Sequence, residues 1–281
     1  MCNTCGCNIT PGNAQLAHQQ DANGTSAHSV LENLLAANDQ TAAHNRGHFD
    51  EHGVLAINLM SAPGAGKTAL LEATIDALKQ EFRLAVIEGD LETENDAARI
   101  RQHGVPAHQI TTGSACHLDA HMLHTALHHV PLAGLDILFI ENVGNLVCPA
   151  SFDLGQHRNV VLLSVTEGDD KPAKYPVMFR AAELVLLTKT DLLPVLDDFS
   201  PERAEGFLRA LANPAPVLRL SARRNLGLDG WFGWLRTQVR ARKQQVAIRS
   251  AQHPLARPNA INEAAIASAQ HFQRVDRGSG T

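Results

Sequence analysis

Residues 61–68, Ser-Ala-Pro-Gly-Ala-Gly-Lys-Thr, follow directly on the apolar run 54–60 and open a segment with helical periodicity. Strand, Gly-rich turn and Lys-Thr at a helix start together predict a phosphate-binding loop. Gly64 and Gly66 let backbone N–H groups close around phosphate oxygens, with Ala65 and Ala69 in the same cradle. Lys67 supplies a point charge, and Thr68 offers a hydroxyl to Mg²⁺. A second chemistry belongs to the thiols. Cys2, Cys5 and Cys7 form Cys-x-x-Cys-Gly-Cys, and three soft thiolates this close can wrap one borderline-soft cation. Loss of Met1 would add the amine of Cys2, and an amine with thiolates suits a square-planar ion such as Ni²⁺ better than Zn²⁺. A redox pair is the competing reading, but no thioredoxin-like strand and helix surrounds it. Cys116 beside His117, with Cys148 a few residues past Glu141, offers a further three-ligand set; its alternative is buried structural cysteine.

Apolar strands deliver the other polar candidates at their ends. Residues 136–141 end on Glu141, which with Gly144 makes Glu-x-x-Gly, related to the Asp-x-x-Gly by which GTPases place a carboxylate near the metal. Asp90, after Glu88 and Gly89, is a second candidate for Mg²⁺ or the attacking water, with helix capping as its alternative. Thr188-Lys189-Thr190-Asp191 resembles the guanine-reading Asn-Lys-x-Asp, Thr188 standing where the Asn is expected. A carboxylate at Asp191 accepts from both the ring N–H and the exocyclic amine of guanine, a donor pair adenine lacks. Ser221-Ala222 resembles the loop that closes over that base. Lys171 and Lys174, in a Pro-flanked loop, are candidates to neutralise charge during phosphoryl transfer, as an arginine finger does; solvated pairing with Asp169 or Asp170 is the alternative.

The elements that must hold these residues alternate. Apolar runs 54–60, 84–88, 136–141, 160–165, 184–188 and 217–220 predict buried parallel strands. Segments 68–80, 92–103, 117–130 and 202–211 predict crossover helices. The expected fold is a doubly wound α/β, mostly parallel sheet over residues 53–242, with its chemistry in the loops after the strands. Residues 1–7 form the thiol motif. Residues 8–52 read as a His-containing linker, with room for a short helix only at 29–35, and 243–281 as a polar, loose tail. His117, His121, His124 and His128 recur at helical spacing; an auxiliary metal track and a solvated stripe are both compatible with that. The linker adds His18, His28, His44, His48 and His52 as weak metal buffers.

At 281 residues and a formal charge of −5, the chain offers no electrostatic case for nucleic acid. No apolar stretch reaches membrane-spanning length and the N-terminus has no signal-peptide pattern, so a cytoplasmic protein is expected.

The thiol motif, residues 61–68, Thr112-Gly113-Ser114-Ala115-Cys116-His117-Leu118, 141–149 and 167–178 resemble the HypB family, the nickel-incorporation GTPases of nickel–iron hydrogenase maturation. The resemblance implies a SIMIBI-class P-loop GTPase using GTP and Mg²⁺, which carries Ni²⁺ to the hydrogenase large subunit. It implies a high-affinity nickel site at Cys2, Cys5 and Cys7, and a weaker Ni²⁺ or Zn²⁺ site at Cys116, His117 and Cys148 near a dimer interface. It also implies a GTP-linked homodimer, a small zinc-containing HypA-like partner that accepts nickel, and in some bacteria a nickel-binding prolyl isomerase. Competing readings are a chaperone for another nickel enzyme such as urease, a nickel store with a vestigial nucleotide fold, and a small-molecule kinase.

Overall fold

The computed structural model describes residues 27–90, 95–113 and 115–252. In chain order its strands are β1 (Leu55–Ser61), β2 (Leu84–Asp90), β3 (Ala107–Thr111), β4 (Ile137–Glu141), β5 (Arg158–Ser164), β6 (Leu184–Thr188) and β7 (Val217–Arg219). They form one seven-stranded sheet in the order β3-β2-β4-β1-β5-β6-β7. All pairings between these strands are parallel. The near-continuous apolar runs of β1, β4 and β6 are buried along their whole length, as strands covered on both faces require.

The helices are α1 (Ala27–His52), α2 (Lys67–Leu78), α3 (Asn95–Gln102), α4 (Ala120–Leu127), α5 (Lys171–Lys174), α6 (Pro176–Ala181), α7 (Pro201–Ala210) and α8 (Leu228–Gln252). Alternation along β1 sends Leu55, Ile57 and Leu59 into a core with Leu70, Ile75, Trp231 and Leu235 of α2 and α8. Ala56, between them, faces Phe49 and Leu123 of α1 and α4. Trp231 Nε1 donates to Thr74 Oγ1 at 2.8 Å, so α2 is held from behind by a buried indole. The strand order reverses at β1, which lies between β4 and β5, so the loop after β1 opens at a topological switch point.

Two expectations need correction, and one strand lies outside the predicted set. The linker reading of 8–52 fails from residue 27, where α1 begins. Its docking face is Asn38, Ala42, Asn45 and Phe49, all buried. Asparagines replace the apolar stripe: Asn38 Nδ2 donates to Asp153 O, and Asn45 Nδ2 donates to both Ala120 O and Leu154 O. A search for apolar residues at helical spacing misses such a face. Strand β3 was unforeseen because Ala-His-Gln-Ile-Thr has no apolar run; it is the sheet edge, only half-buried. The tail reading fails for residues 243–252, which continue α8. The chain divides into two compact units, 1–239 and 240–281, and the last turns of α8 are the described part of the second. No helix among the described residues is long and apolar enough to cross a membrane.

Candidate functional site: a phosphate cleft joined to a thiolate–imidazole cluster

The loop after β1 turns through Gly64 and Gly66, at φ 72° and 97°, and α2 starts immediately at Lys67. Its free N-terminal N–H groups therefore point into the turn. Lys67 is buried and donates from Nζ to Ser61 Oγ at 2.9 Å. Ser61 Oγ in turn donates to Ala62 O at 2.7 Å, so the serine orients the ammonium within the loop. A cleft of about 390 Å³ opens over this turn, lined by Gly64, Lys67, Thr68, Ala69, Asp90 and Glu141 among others. Gly144, on the loop after β4, closes its far wall. A Cβ there would lie 2.8 Å from Pro63 Cα, so only glycine lets the two loops approach this closely.

Thr68 Oγ1 donates to Glu141 Oε1 at 2.9 Å. The parallel register of β2 and β4 sets Glu88 beside Glu141. Oε2 of each is buried without a hydrogen-bond partner. Burial, then the charges of Glu141, Asp96 and Asp90, raises Glu88 to about 8. Burial likewise raises Glu141 to about 7, although Lys67 and Thr68 pull it down. Oxygens of Glu88, Asp96 and Glu141 lie within 4.8 Å of one another. Two orphaned buried carboxylate oxygens in an all-oxygen set fit a hard divalent cation such as Mg²⁺.

These shifts have a consequence for the cation-free protein. Between the ordinary glutamate range and about 8, the folded state holds protons that the unfolded state has released, so stability falls as pH rises. Glu88→Gln should remove up to about 1.4 kcal/mol per pH unit of that slope. Denaturant unfolding from roughly pH 5 to 8, with magnesium chelated, is the check; parallel curves for the two proteins would refute it.

On the β6 side of the phosphate loop, Thr188 Oγ1 donates to Ala65 O at 2.7 Å, fastening the end of β6 to the loop. Lys189 takes a left-handed φ of 58°, and Asp191 follows in a short 3₁₀ turn with Arg224 Nε 3.9 Å from its carboxylate. Ser221, after β7, is buried and exchanges backbone hydrogen bonds with Leu226, leaving Ala222 on the intervening turn. Lys171 and Lys174 do not line the cleft. Lys174 is paired with Asp170 at 2.6 Å, and Lys171 lies over the Tyr175 ring at 5.3 Å. Burial raises half-buried Glu167, whose carboxylate also accepts from Ser164 N and feels the charges of Lys171, Lys189 and Lys67.

Cys116 Sγ lies 3.2 Å from Cys148 Sγ and 3.7 Å from His117 Nδ1, and the three ligand atoms converge within 4.8 Å. Cys116 is exposed and Cys148 half-buried. Burial, then the neighbouring Cys116, pushes the Cys148 thiol up, and burial pulls His117 down. A cation binding here displaces thiol protons but finds the imidazole already neutral. The His117 ring rests on Phe152, with centroids 4.0 Å apart.

Asn142, next to Glu141, joins the two centres. Its Oδ1 accepts from Leu118 N at 3.1 Å and its Nδ2 donates to Asn58 Oδ1. Leu118 packs against Gly89, where a Cβ would meet its side chain at 2.7 Å. Asn145 Nδ2 donates to Cys116 O. Strand β2, through Gly89, and the loop after β4, through Asn142, therefore both touch the residue that follows the Cys-His pair.

Residues 55–219 match the family described as CobW/HypB/UreG, nucleotide-binding domain. Hydrogenase maturation factor HypB of Azotobacter chroococcum mcd 1 is 53% identical over 215 residues, 76% of this chain and 70% of that protein. The factor of the same name from Escherichia coli K12 is 50% identical over 220 residues, 77% and 76% of the two chains. The chain belongs to the HypB family. A HypB crystal structure from Helicobacter pylori, in complex with nickel, superposes with a TM-score of 0.70 at 42% identity, over 73% of this chain and 96% of that one.

In this HypB-family chain the structure brings Lys67, Thr68, Asp90, Glu141 and Gly144 to one cleft and Cys116, His117 and Cys148 to one cluster. Cys2, Cys5 and Cys7 lie outside the described residues. His117 does not share a helix with His121, His124 and His128, of which His124 and His128 have ring centroids 5.4 Å apart. Asp119 caps α4 by accepting from Met122 N, so His117 precedes the helix and joins the cysteines. Sequence reading missed Glu88 and Asp96 as acids of the cleft, Ser61 as the partner of Lys67, and Asn142 as the bridge. Glu88 alone carried a signal, a charged residue two positions before Asp90 on an apolar strand, hence on the same face.

Proposed function

We propose that this member of the HypB family is a cytoplasmic GTPase that loads and releases Ni²⁺ for insertion into the hydrogenase large subunit. The supporting observation is the Asn142–Leu118 hydrogen bond, which ties the residue after Glu141 to the residue after His117. Lys67 and the loop N–H groups hold the β- and γ-phosphates, Asp191 and Lys189 read guanine, and Ser221-Ala222 cover it. Thr68 and Glu141, with Glu88, Asp96 or Asp90, would hold Mg²⁺, which when bound would supply positive charge to neutralise the phosphates. Asp90 or Glu141 orients the water, whose oxygen bonds to the γ-phosphorus as the bond to the β-oxygen breaks, giving GDP and phosphate. Lys171, which unlike Lys174 is not held by Asp170, enters on loop closure to meet the charge that develops.

Closure draws on Glu141 and Asn142, and Asn142 moves Leu118 and with it the Cys116-His117 pair, changing its geometry toward Cys148. Ni²⁺ is the cargo there, with Zn²⁺ a competitor for the same soft donors. Three protein ligands leave room for exchange or for donors from a second copy in a GTP-linked homodimer. Cys2, Cys5 and Cys7 supply a separate nickel site. The receiving partners are a zinc-containing HypA-like protein and the hydrogenase large subunit, and a nickel-binding prolyl isomerase is a further partner.

The test compares nickel affinity of the Cys116 site with GDP and with a non-hydrolysable GTP analogue. A shift of roughly 5- to 150-fold, the range of ordinary allosteric coupling, is expected. Asn142→Ala should collapse it while leaving GTP turnover measurable. Equal affinity in the two nucleotide states would overturn the proposal, as would faster turnover of ATP than GTP.

A further inference from the structure

Helix α1 brings His44 and His48, one turn apart, against His124 of α4. Nε2 of His44 and Nε2 of His48 are 3.0 Å apart. The His124 ring centroid is 5.0 Å from that of His44 and 5.8 Å from that of His48. One ring nitrogen from each converges within 4.8 Å. We propose that His44, His48 and His124 form an all-imidazole site for a borderline divalent cation of the Ni²⁺ or Zn²⁺ class, distinct from both thiol sites.

The wiring around His124 selects its ligand atom. Buried Asn45 donates from Nδ2 to two carbonyls, Ala120 O and Leu154 O, which fixes its amide with Oδ1 facing His124. Oδ1 only accepts, so His124 Nδ1, 3.0 Å away, carries the proton. The Nε2 lone pair is then free for a metal, the arrangement in which a second interaction orients a ligating histidine. Burial, then His44, His128, His48 and His121, lowers the pKa of His124, which favours the neutral ring that ligation requires.

The spacing also suits coordination. Bonds of about 2.0–2.1 Å put two imidazole nitrogens about 2.9 Å apart at a right angle and about 3.4 Å apart at the tetrahedral angle. The 3.0 Å between His44 and His48 lies inside that range. Imidazole suits Zn²⁺, Cu²⁺ and Ni²⁺, and three protein nitrogens leave open positions, so the ion exchanges. A bound cation would also clasp α1 to α4, adding metal to a contact otherwise made by asparagines.

The experiment uses the untagged full chain with Cys2→Ser, Cys5→Ser, Cys7→Ser, Cys116→Ser and Cys148→Ser, which removes the thiol sites and keeps the imidazoles. Equilibrium dialysis against Ni²⁺ should find one retained equivalent, and paramagnetic Ni²⁺ should broaden the ring-proton resonances of His44, His48 and His124 first. Adding His124→Gln should weaken that equivalent at least tenfold. His44→Gln, at an exposed ring, should do the same without disturbing the helix contact. A control with His18→Gln, His28→Gln and His52→Gln should retain the equivalent. No retained nickel, or retention unchanged by His44→Gln and His124→Gln, would overturn the proposal.

Discussion

Lys67→Ala should reduce GTP turnover by about 10²–10³-fold, or roughly 3–4 kcal/mol of transition-state stabilisation, while leaving the fold in place. The ammonium is buried at the start of α2, its donor already aimed across the loop at Ser61 Oγ. A triphosphate entering the turn meets a charge held in a water-poor site, where it counts for more than in bulk solvent. Thr188 and Trp231 hold the loop and helix through groups other than Lys67, so the variant should keep its helix signal and its unfolding midpoint within a few degrees. Single-turnover hydrolysis beside thermal unfolding separates the two effects. Activity within threefold of the parent would mean that phosphate transfer happens elsewhere.

Asp191→Asn should change which base is accepted more than it changes catalysis. Guanine offers two donors, N1–H and the 2-amino group, and a carboxylate accepts both; an amide accepts one and turns a donor toward the other. Xanthine replaces the amine with a carbonyl, which that donor satisfies. Leaving a polar base edge mispaired costs on the order of 10²–10⁴-fold in kcat/KM, so GTP should lose about that much relative to xanthosine triphosphate. Arg224 at 3.9 Å contributes little at this distance and exposure, so the change should register at the base. An unaltered preference between the two triphosphates would place the base away from the loop after β6.

The parts of the molecule legible in its sequence were those whose chemistry is local. Phosphate loops are contiguous, so residues 61–68 disclosed their own turn, charge and helix start, and the apolar runs of β1, β4, β5 and β6 declared a parallel sheet. What stayed hidden depends on register or on polar packing. Glu88 becomes a partner of Glu141 only because β2 and β4 align them, a pairing between residues 53 positions apart that no local pattern records. Thr188 looked like a defect in the guanine motif. In the structure its hydroxyl secures Ala65. Helix α1 was read as linker because its anchoring residues are asparagines, whose value lies in the carbonyls of Asp153, Ala120 and Leu154, far along the chain. Cys116 and Cys148 converge in the structure, but the side chain that ties this cluster to the cleft, Asn142, is one amide among many in the sequence and in space binds Leu118, Asn58 and Val143.

The proton-holding pair at Glu88 and Glu141 bears on the order in which reactants arrive. Before loading, neither acid is fully ionised near neutrality, so an incoming polyanion meets less negative charge beside Lys67 than two bare carboxylates would present. Repulsion from these two carboxylates is weakened until a counter-charge is delivered. Guest and counter-ion should therefore enter as one neutralised package, expelling protons into the buffer, and the door stands ajar for nucleotide without standing open to stray cations.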